Sequence, residues 1–157
     1  MRKFWWIAPV VLLVDQLTKH AARGLTQPVV LIPRLVCLRY AENTGMAFSL
    51  FSGQSWLLGI LSAVLLIAGA LVLRGFRLGR WAWVSTMLIL GGAGSNMLDR
   101  LVHGYVVDMI ELLFIRFAVF NIADIALTVG FLLAAWSLFF RPEDWSEKNG
   151  NTKGNPV

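Results

Sequence analysis

Four acids, Asp99, Asp108, Glu111 and Asp124, fall close together in a chain that is 57% hydrophobic and only 15% charged. Charge is costly in apolar surroundings, so acids kept there need a structural or a chemical reason. In "HGYVVDMIEL", strand alternation sets Val106, Asp108, Ile110 and Leu112 on one face. Asp108 is then the single charge among apolar neighbours, while Glu111 points the other way. In "FNIADIAL", Asn121 has the type and place of a helix N-cap, and Asp124 follows in the first turn. The helix dipole alone is a sufficient structural reason for Asp124. Brought near Asp108, it has a chemical one. Two carboxyls in a low-dielectric site cannot both ionise cheaply, so such a pair keeps one shared proton near neutral pH. The ionised member can take a proton from water while the protonated one donates to a carbonyl oxygen. That is the logic of an aspartic peptidase.

Other polar groups have plainer readings beside functional ones. "DQLTK" spaces Asp15 and Lys19 as an i,i+4 ion pair at the end of an apolar run. "ENTGMAF" carries the Asn-Thr-Gly of a turn, and "GGAGSN" allows close helix packing. Asp99 and Arg100 either mark an interface or pair with each other. Ser49 or Ser95 with Lys19 would make a Ser–Lys dyad, and Ser95 with His103 another pairing, but neither serine sits in an activated elbow. Cys37 lies in an apolar segment with nothing to stabilise a thiolate, which argues against a nucleophile. One cysteine with His20 and His103 is too few for a zinc cluster, so no metal and no organic cofactor are expected.

The elements that must hold these residues are mostly apolar helices. The 157 residues suggest one domain, and the apolar residues come in blocks. Four spans are predicted: 4–14 continued through "DQLTKHAA", 55–73, 81–98 and 122–140. "MRKFWW" has the look of a signal-peptide start, but Asp15, Gln16 and Lys19 follow in place of a cleavage site, so an uncleaved anchor is expected. Arg2 and Lys3, the run "RGFRLGR" (74–80) and Arg141 fall on one side, which makes both termini cytoplasmic. Residues 1–141 form the membrane domain, and 142–157 a polar, disordered tail. Residues 24–54 and 99–121 then lie outside, where "VVLIPRLVCLRY", interrupted by Pro33, and "YVVDMIELLFIRFAVF" read as short strands. The expected fold is a mainly α membrane protein of four transmembrane helices with a small extracytoplasmic β-rich platform. The net charge of +5 forms no stripe with interleaved aromatics, so no nucleic-acid partner is expected. A transporter or channel would put its acids at mid-membrane depth in several spans; here they gather at the outer ends. Nor is there an internal repeat.

Taken together, "DQLTK", "NTGMAF", "GGAGSNMLDR", "GYVVDMIEL" and "FNIADIA" resemble, in order and over nearly the whole chain, the lipoprotein signal peptidases, the signal peptidase II family of bacteria. The resemblance implies an inner-membrane aspartyl endopeptidase that cleaves a prolipoprotein just before its diacylglyceryl-modified cysteine. It implies Asp108 and Asp124 as the catalytic pair. It also implies that Asp15, Lys19, Asn43, Gly45, Asn96, Asp99, Arg100 and Asn121 order that pair or grip the substrate. The implied partners are the diacylglyceryl-prolipoprotein and membrane lipid, with the enzyme a monomer. Two departures show: Ser95 stands where the family has glycine, and the hairpin between Asp108 and Asp124 is short. A non-catalytic relative would have no need of both aspartates.

Overall fold

The computed structural model describes residues 4–45 and 53–148. Arg2, Lys3, Phe48, Ser49 and the chain from 149 onward lie outside the described residues. Four helices carry the fold: α1 (Ile7–Ala22), α2 (Ser55–Leu73), α3 (Arg80–His103) and α4 (Ile122–Phe140). The short strands are β1 (Val29–Ile32), β2 (Val36–Asn43), β3 (Phe76–Leu78), β4 (Val106–Leu112) and β5 (Trp145–Glu147). Among the described residues, α2 and α4, 19 residues each, are long and apolar enough to cross a membrane. Their bounds coincide with the spans predicted at 55–73 and 122–140.

Burial is inverted relative to a soluble domain. Leu57, Leu61, Val64 and Leu65 on α2 and Phe131, Leu132 and Phe139 on α4 are exposed. Asp15, Lys19, Ser95, Asn96 and Asp99 are buried between helices. An apolar solvent explains both at once, since lipid welcomes the first set and penalises the second. The chain is a membrane protein.

The α3 helix is the hub, packing against α1, α2 and α4. Its glycines set how closely. A Cβ on Gly92 would stand 2.5 Å from the Ala123 carbonyl oxygen of α4, and one on Gly91 would stand 2.8 Å from that of Ala8 in α1. Both contacts are with backbone, which cannot swing aside. Gly92→Ala is therefore expected to force α3 from α4 beside Asp124, at a cost of about 1–3 kcal/mol. Thermal unfolding in detergent checks it; an unchanged Tm would contradict the close packing.

The helix also runs further than its apolar stretch. The span predicted at 81–98 continues to His103, where Gly104, with φ 77°, ends it in the left-handed conformation that glycine adopts without strain. Beyond that end β4 pairs antiparallel with β2, which pairs with β1, in the order β1-β2-β4. This is the predicted β-rich platform. Pro33 breaks β1 from β2 in a turn in which Leu35 N–H donates to the Ile32 carbonyl at 3.0 Å. The second predicted segment is strand only over its first half. After Leu112 the chain leaves the sheet and returns at Phe120, which exchanges hydrogen bonds with Ile110 (2.8 and 3.0 Å).

The opposite end of the bundle carries the first residues of the polar tail. Within the stretch 142–148 of the tail expected to be disordered, a 3-10 turn (Pro142–Asp144) leads into β5, which pairs with β3. The buried Asp144 carboxylate accepts from Trp81 N–H at 2.8 Å, which caps α3. A carboxylate at a helix N-terminus satisfies a donor that the helix cannot, and it faces the positive end of the dipole.

Candidate active site

Asp108 sits in the part of β4 that is buried on both faces, opposite Ala41 of β2. On the strand's other side the Ile110–Phe120 bridge delivers Asn121, the N-cap of α4, next to it. Asn121 ties the two acids together. Its Nδ2 donates to Asp108 Oδ1 at 2.6 Å, its backbone N–H donates to Asp124 Oδ2 at 3.2 Å, and its Oδ1 accepts from the Asp124 N–H at 2.9 Å. The last two bonds form a capping box. Local sequence thus explains the approach: one cap residue serves the helix and the strand together.

Each carboxylate has a second amide donor. Asn43 Nδ2 donates to Asp108 Oδ2 at 3.0 Å, and Asn96 Nδ2 donates to Asp124 Oδ1 at 2.8 Å. These amides are held in turn. Asn43 Oδ1 accepts from Gly45 N–H (3.1 Å), and Asn96 Oδ1 accepts from Lys19 Nζ (2.8 Å) and from Asn121 Nδ2 (3.2 Å). Arg100 Nη2 donates to the Gly45 carbonyl at 3.1 Å.

Behind this layer lies a fully buried ion cluster. Lys19 Nζ stands 2.6 Å from Asp15 Oδ2 and 2.8 Å from Asp99 Oδ2. Asp15 Oδ1 accepts from the Ala123 N–H of α4 at 2.8 Å, which joins the cluster to the helix that carries Asp124. Ser95 Oγ donates to Asp15 Oδ2 at 2.7 Å. The ten residues that the resemblance implies therefore meet in one network.

Three of the other candidates are engaged elsewhere. Asp99 pairs with Lys19, not with its neighbour Arg100. Ser95 Oγ donates to Asp15 while Lys19 is engaged with two carboxylates and Asn96, so no Ser–Lys dyad forms at Ser95. Cys37 is buried in β2 with its thiol toward the Leu38 carbonyl. Gln16 was not foreseen; its Nε2 donates to Ser95 Oγ (2.9 Å) and Asp99 Oδ1 (3.0 Å). The signal was present, because an amide inside an apolar run must find partners in a neighbouring helix. Among the described residues, no group of three or more His, Cys, Asp and Glu side chains is placed to hold a metal ion.

Burial pushes the Asp108 carboxyl up to about 6, and the charge of Asp124 adds to the rise. The amides of Asn43 and Asn121 and the Lys19 ammonium work against it. Asp124→Asn removes one raising cause, so Asp108 is expected to titrate lower in that variant. Carbon-13 NMR of labelled aspartates measures this, and an unmoved Asp108 would contradict the coupling. The sign for stability follows from the same value. A carboxyl at about 6 in the fold and ~3.9 unfolded binds its proton more tightly when folded, so its contribution weakens as pH rises between the two.

Asn96, Arg100 and Asp124 line a cavity of about 560 Å³, walled by Phe117, Phe120, Leu127 and Val129. The buried Arg100 Nε has no hydrogen-bond partner among the described residues. The site thus offers two amide-braced carboxyls, of which Asp124 lines an apolar cleft together with the spare cationic donor of Arg100.

The chain is similar to known proteins over most of its length. The sequence model of one family, signal peptidase (SPase) II, matches residues 7–140. A lipoprotein signal peptidase of Thermosynechococcus vestitus is 42% identical over 143 residues, covering 85% of this chain and 89% of that protein. One from Streptococcus thermophilus is 41% identical over 143 residues, covering 88% and 89%. A solved structure described as a bacterial membrane enzyme superposes with a TM-score of 0.80 at 27% identity, covering 96% of this chain and 93% of that one.

Proposed function

The chain belongs to the signal peptidase II family, and from that premise we propose that it is an aspartic endopeptidase that removes the signal peptide of diacylglyceryl-modified prolipoproteins just before the lipidated cysteine. The observation that carries the reading is the Asn121 bridge. Its side chain braces Asp108, its backbone braces Asp124, and in this reading the cavity that Asp124 lines receives the substrate peptide.

The reaction is hydrolysis without a covalent intermediate. The ionised member of the pair takes a proton from a water lying between the two carboxyls. The protonated member hydrogen-bonds the scissile carbonyl oxygen and stabilises the charge that develops there. The pair titrates as a unit, so the proton belongs to both. Asn43, Asn96 and Asn121 keep the carboxyls aimed. Gly45 is held between Asn43 and Arg100, and the spare Arg100 Nε is the donor for a substrate carbonyl. The aromatic wall at Phe117 and Phe120 limits water, and the substrate's acyl chains stay in the surrounding lipid.

All four helices cross the inner membrane in this reading, with both termini cytoplasmic, the dyad at the outer face and the enzyme acting as a monomer. Orientation has its own check. In a Cys37→Ser background, Arg116→Cys is expected to react with an impermeant maleimide in intact cells and Arg77→Cys to stay protected. Both positions are exposed on the molecule, so burial does not decide the result. The reverse pattern would overturn the orientation.

Activity is tested with the purified chain and a lipidated precursor. Mass spectrometry is expected to find a product that begins at the diacylglyceryl cysteine, with unlipidated precursor left intact. Equal cleavage of both forms would contradict the proposed substrate.

A further inference from the structure

A second cavity, about 610 Å³ in volume, lies between α2 and α3 at the end away from Asp108 and Asp124. Its walls are apolar, with Leu65, Leu66 and Leu73 from α2 and Met87 and Leu90 from α3. Its rim is basic: Arg74, Arg77 and Lys148 all line it. Among the described residues none of these three cations joins an ion pair. Their neighbours are engaged, Arg80 over the rings of Phe4 and Trp81 and Arg141 with Glu143. Lys148 Nζ donates to the Arg74 carbonyl at 2.5 Å and keeps two more N–H groups. Of the acids nearby, Asp144 is turned inward as the cap of α3, and Glu147 is exposed opposite Phe76. Trp83 also lines the cavity, and its buried indole N–H has no partner among the described residues.

An occupant must therefore be apolar along its length and anionic at its head. A signal peptide meets the first condition and fails the second, because its n-region carries Lys or Arg that a basic rim repels. A phospholipid with a net negative head meets both, and basic pockets between membrane helices take such heads. The α2 wall leaves the room: a Cβ on Gly69 would meet no atom within 4 Å. We propose that this cavity binds one anionic phospholipid. An acyl chain lies along Leu65, Gly69 and Met87, and the phosphate is held by Arg74, Arg77 and Lys148, with the Trp83 N–H as a further donor.

The test uses the full chain reconstituted in mixed phosphatidylglycerol and phosphatidylcholine, extracted in mild detergent and weighed by native mass spectrometry. Wild type is expected to retain one phosphatidylglycerol in preference to phosphatidylcholine. Gly69→Phe fills the cavity from the helix, and Arg74→Gln with Arg77→Gln removes the head site; each is expected to lower that retention roughly tenfold. Both arginines are exposed, so the paired variant decides the matter should Gly69→Phe misfold. Equal retention of the two lipids by wild type, or undiminished phosphatidylglycerol in the arginine variant, overturns the proposal. The readout is bound lipid, so it stands or falls separately from the peptidase reading.

Discussion

Asp108→Asn and Asp124→Asn are each expected to lower the cleavage rate by about 10³-fold or more while leaving the fold intact. Asn cannot take a proton from water or hand one to a carbonyl, so the chemistry is lost outright. The structural cost is small and has an identifiable cause. Asp108 accepts from two amide donors, Asn43 Nδ2 and Asn121 Nδ2, and both amides are pinned through their own oxygens. An Asn at 108 can accept only one of them, and that lost bond costs about 1 kcal/mol. Removal of a carboxyl that burial already disfavours offsets it. Glu111→Gln is the matched control. Glu111 pairs with Arg39 at 3.1 Å while both side chains are partly exposed, a contact of about 0–1 kcal/mol with no link to the dyad. Variant kinetics on a purified lipidated precursor, with Tm beside them, separate the two cases. A folded Asp108→Asn with near-normal turnover would sink the assignment.

Lys19→Met is expected to bring the largest loss of stability, about 3–5 kcal/mol. The ammonium is fully buried between Asp15 and Asp99, and its removal strands two buried carboxylates without their counter-charge. In a chain of this size that corresponds to a fall in Tm of about 10 °C. Activity should fall as well, because Asn96 loses the cation that fixes its oxygen and so its grip on Asp124. Lys19→Arg should not rescue, since a forked guanidinium cannot reproduce the contacts that the compact ammonium makes with Asp15, Asp99 and Asn96. A Lys19→Met variant with wild-type Tm would show that the cluster is not structural.

How far the sequence could be read depended on how local each cause was. The ends of α2 and α4 were legible because uncharged runs stop at Arg74 and Arg141. The Asn121 cap and Asp124 were legible for the same reason, lying three residues apart in one motif. The end of α3 was missed by hydropathy, although Gly104 after His103 is a local stop signal. What stayed hidden depends on packing between distant segments. Asp99 and Arg100 are neighbours in the chain, yet Asp99 turns to Lys19 on α1. Asp144 looked like part of a solvated tail, and only the fold puts it on the N-terminus of α3. Gln16 found Ser95 and Asp99 by that same approach of α1 to α3. The ten candidate residues were legible as a set only through the resemblance of their motifs to a family, while the bonds among them could come only from the structure.

The central claim is that Asp108 and Asp124 act as one unit, and the double variant tests it most directly. Cleavage of a purified lipidated precursor is measured for Asp108→Asn, Asp124→Asn and the two combined. Either single substitution should already abolish the dyad, so the double variant is expected within about tenfold of the slower single one. Losses that multiply, with the double variant slower by the product of the two single effects, would mean that the acids act independently and would contradict the account.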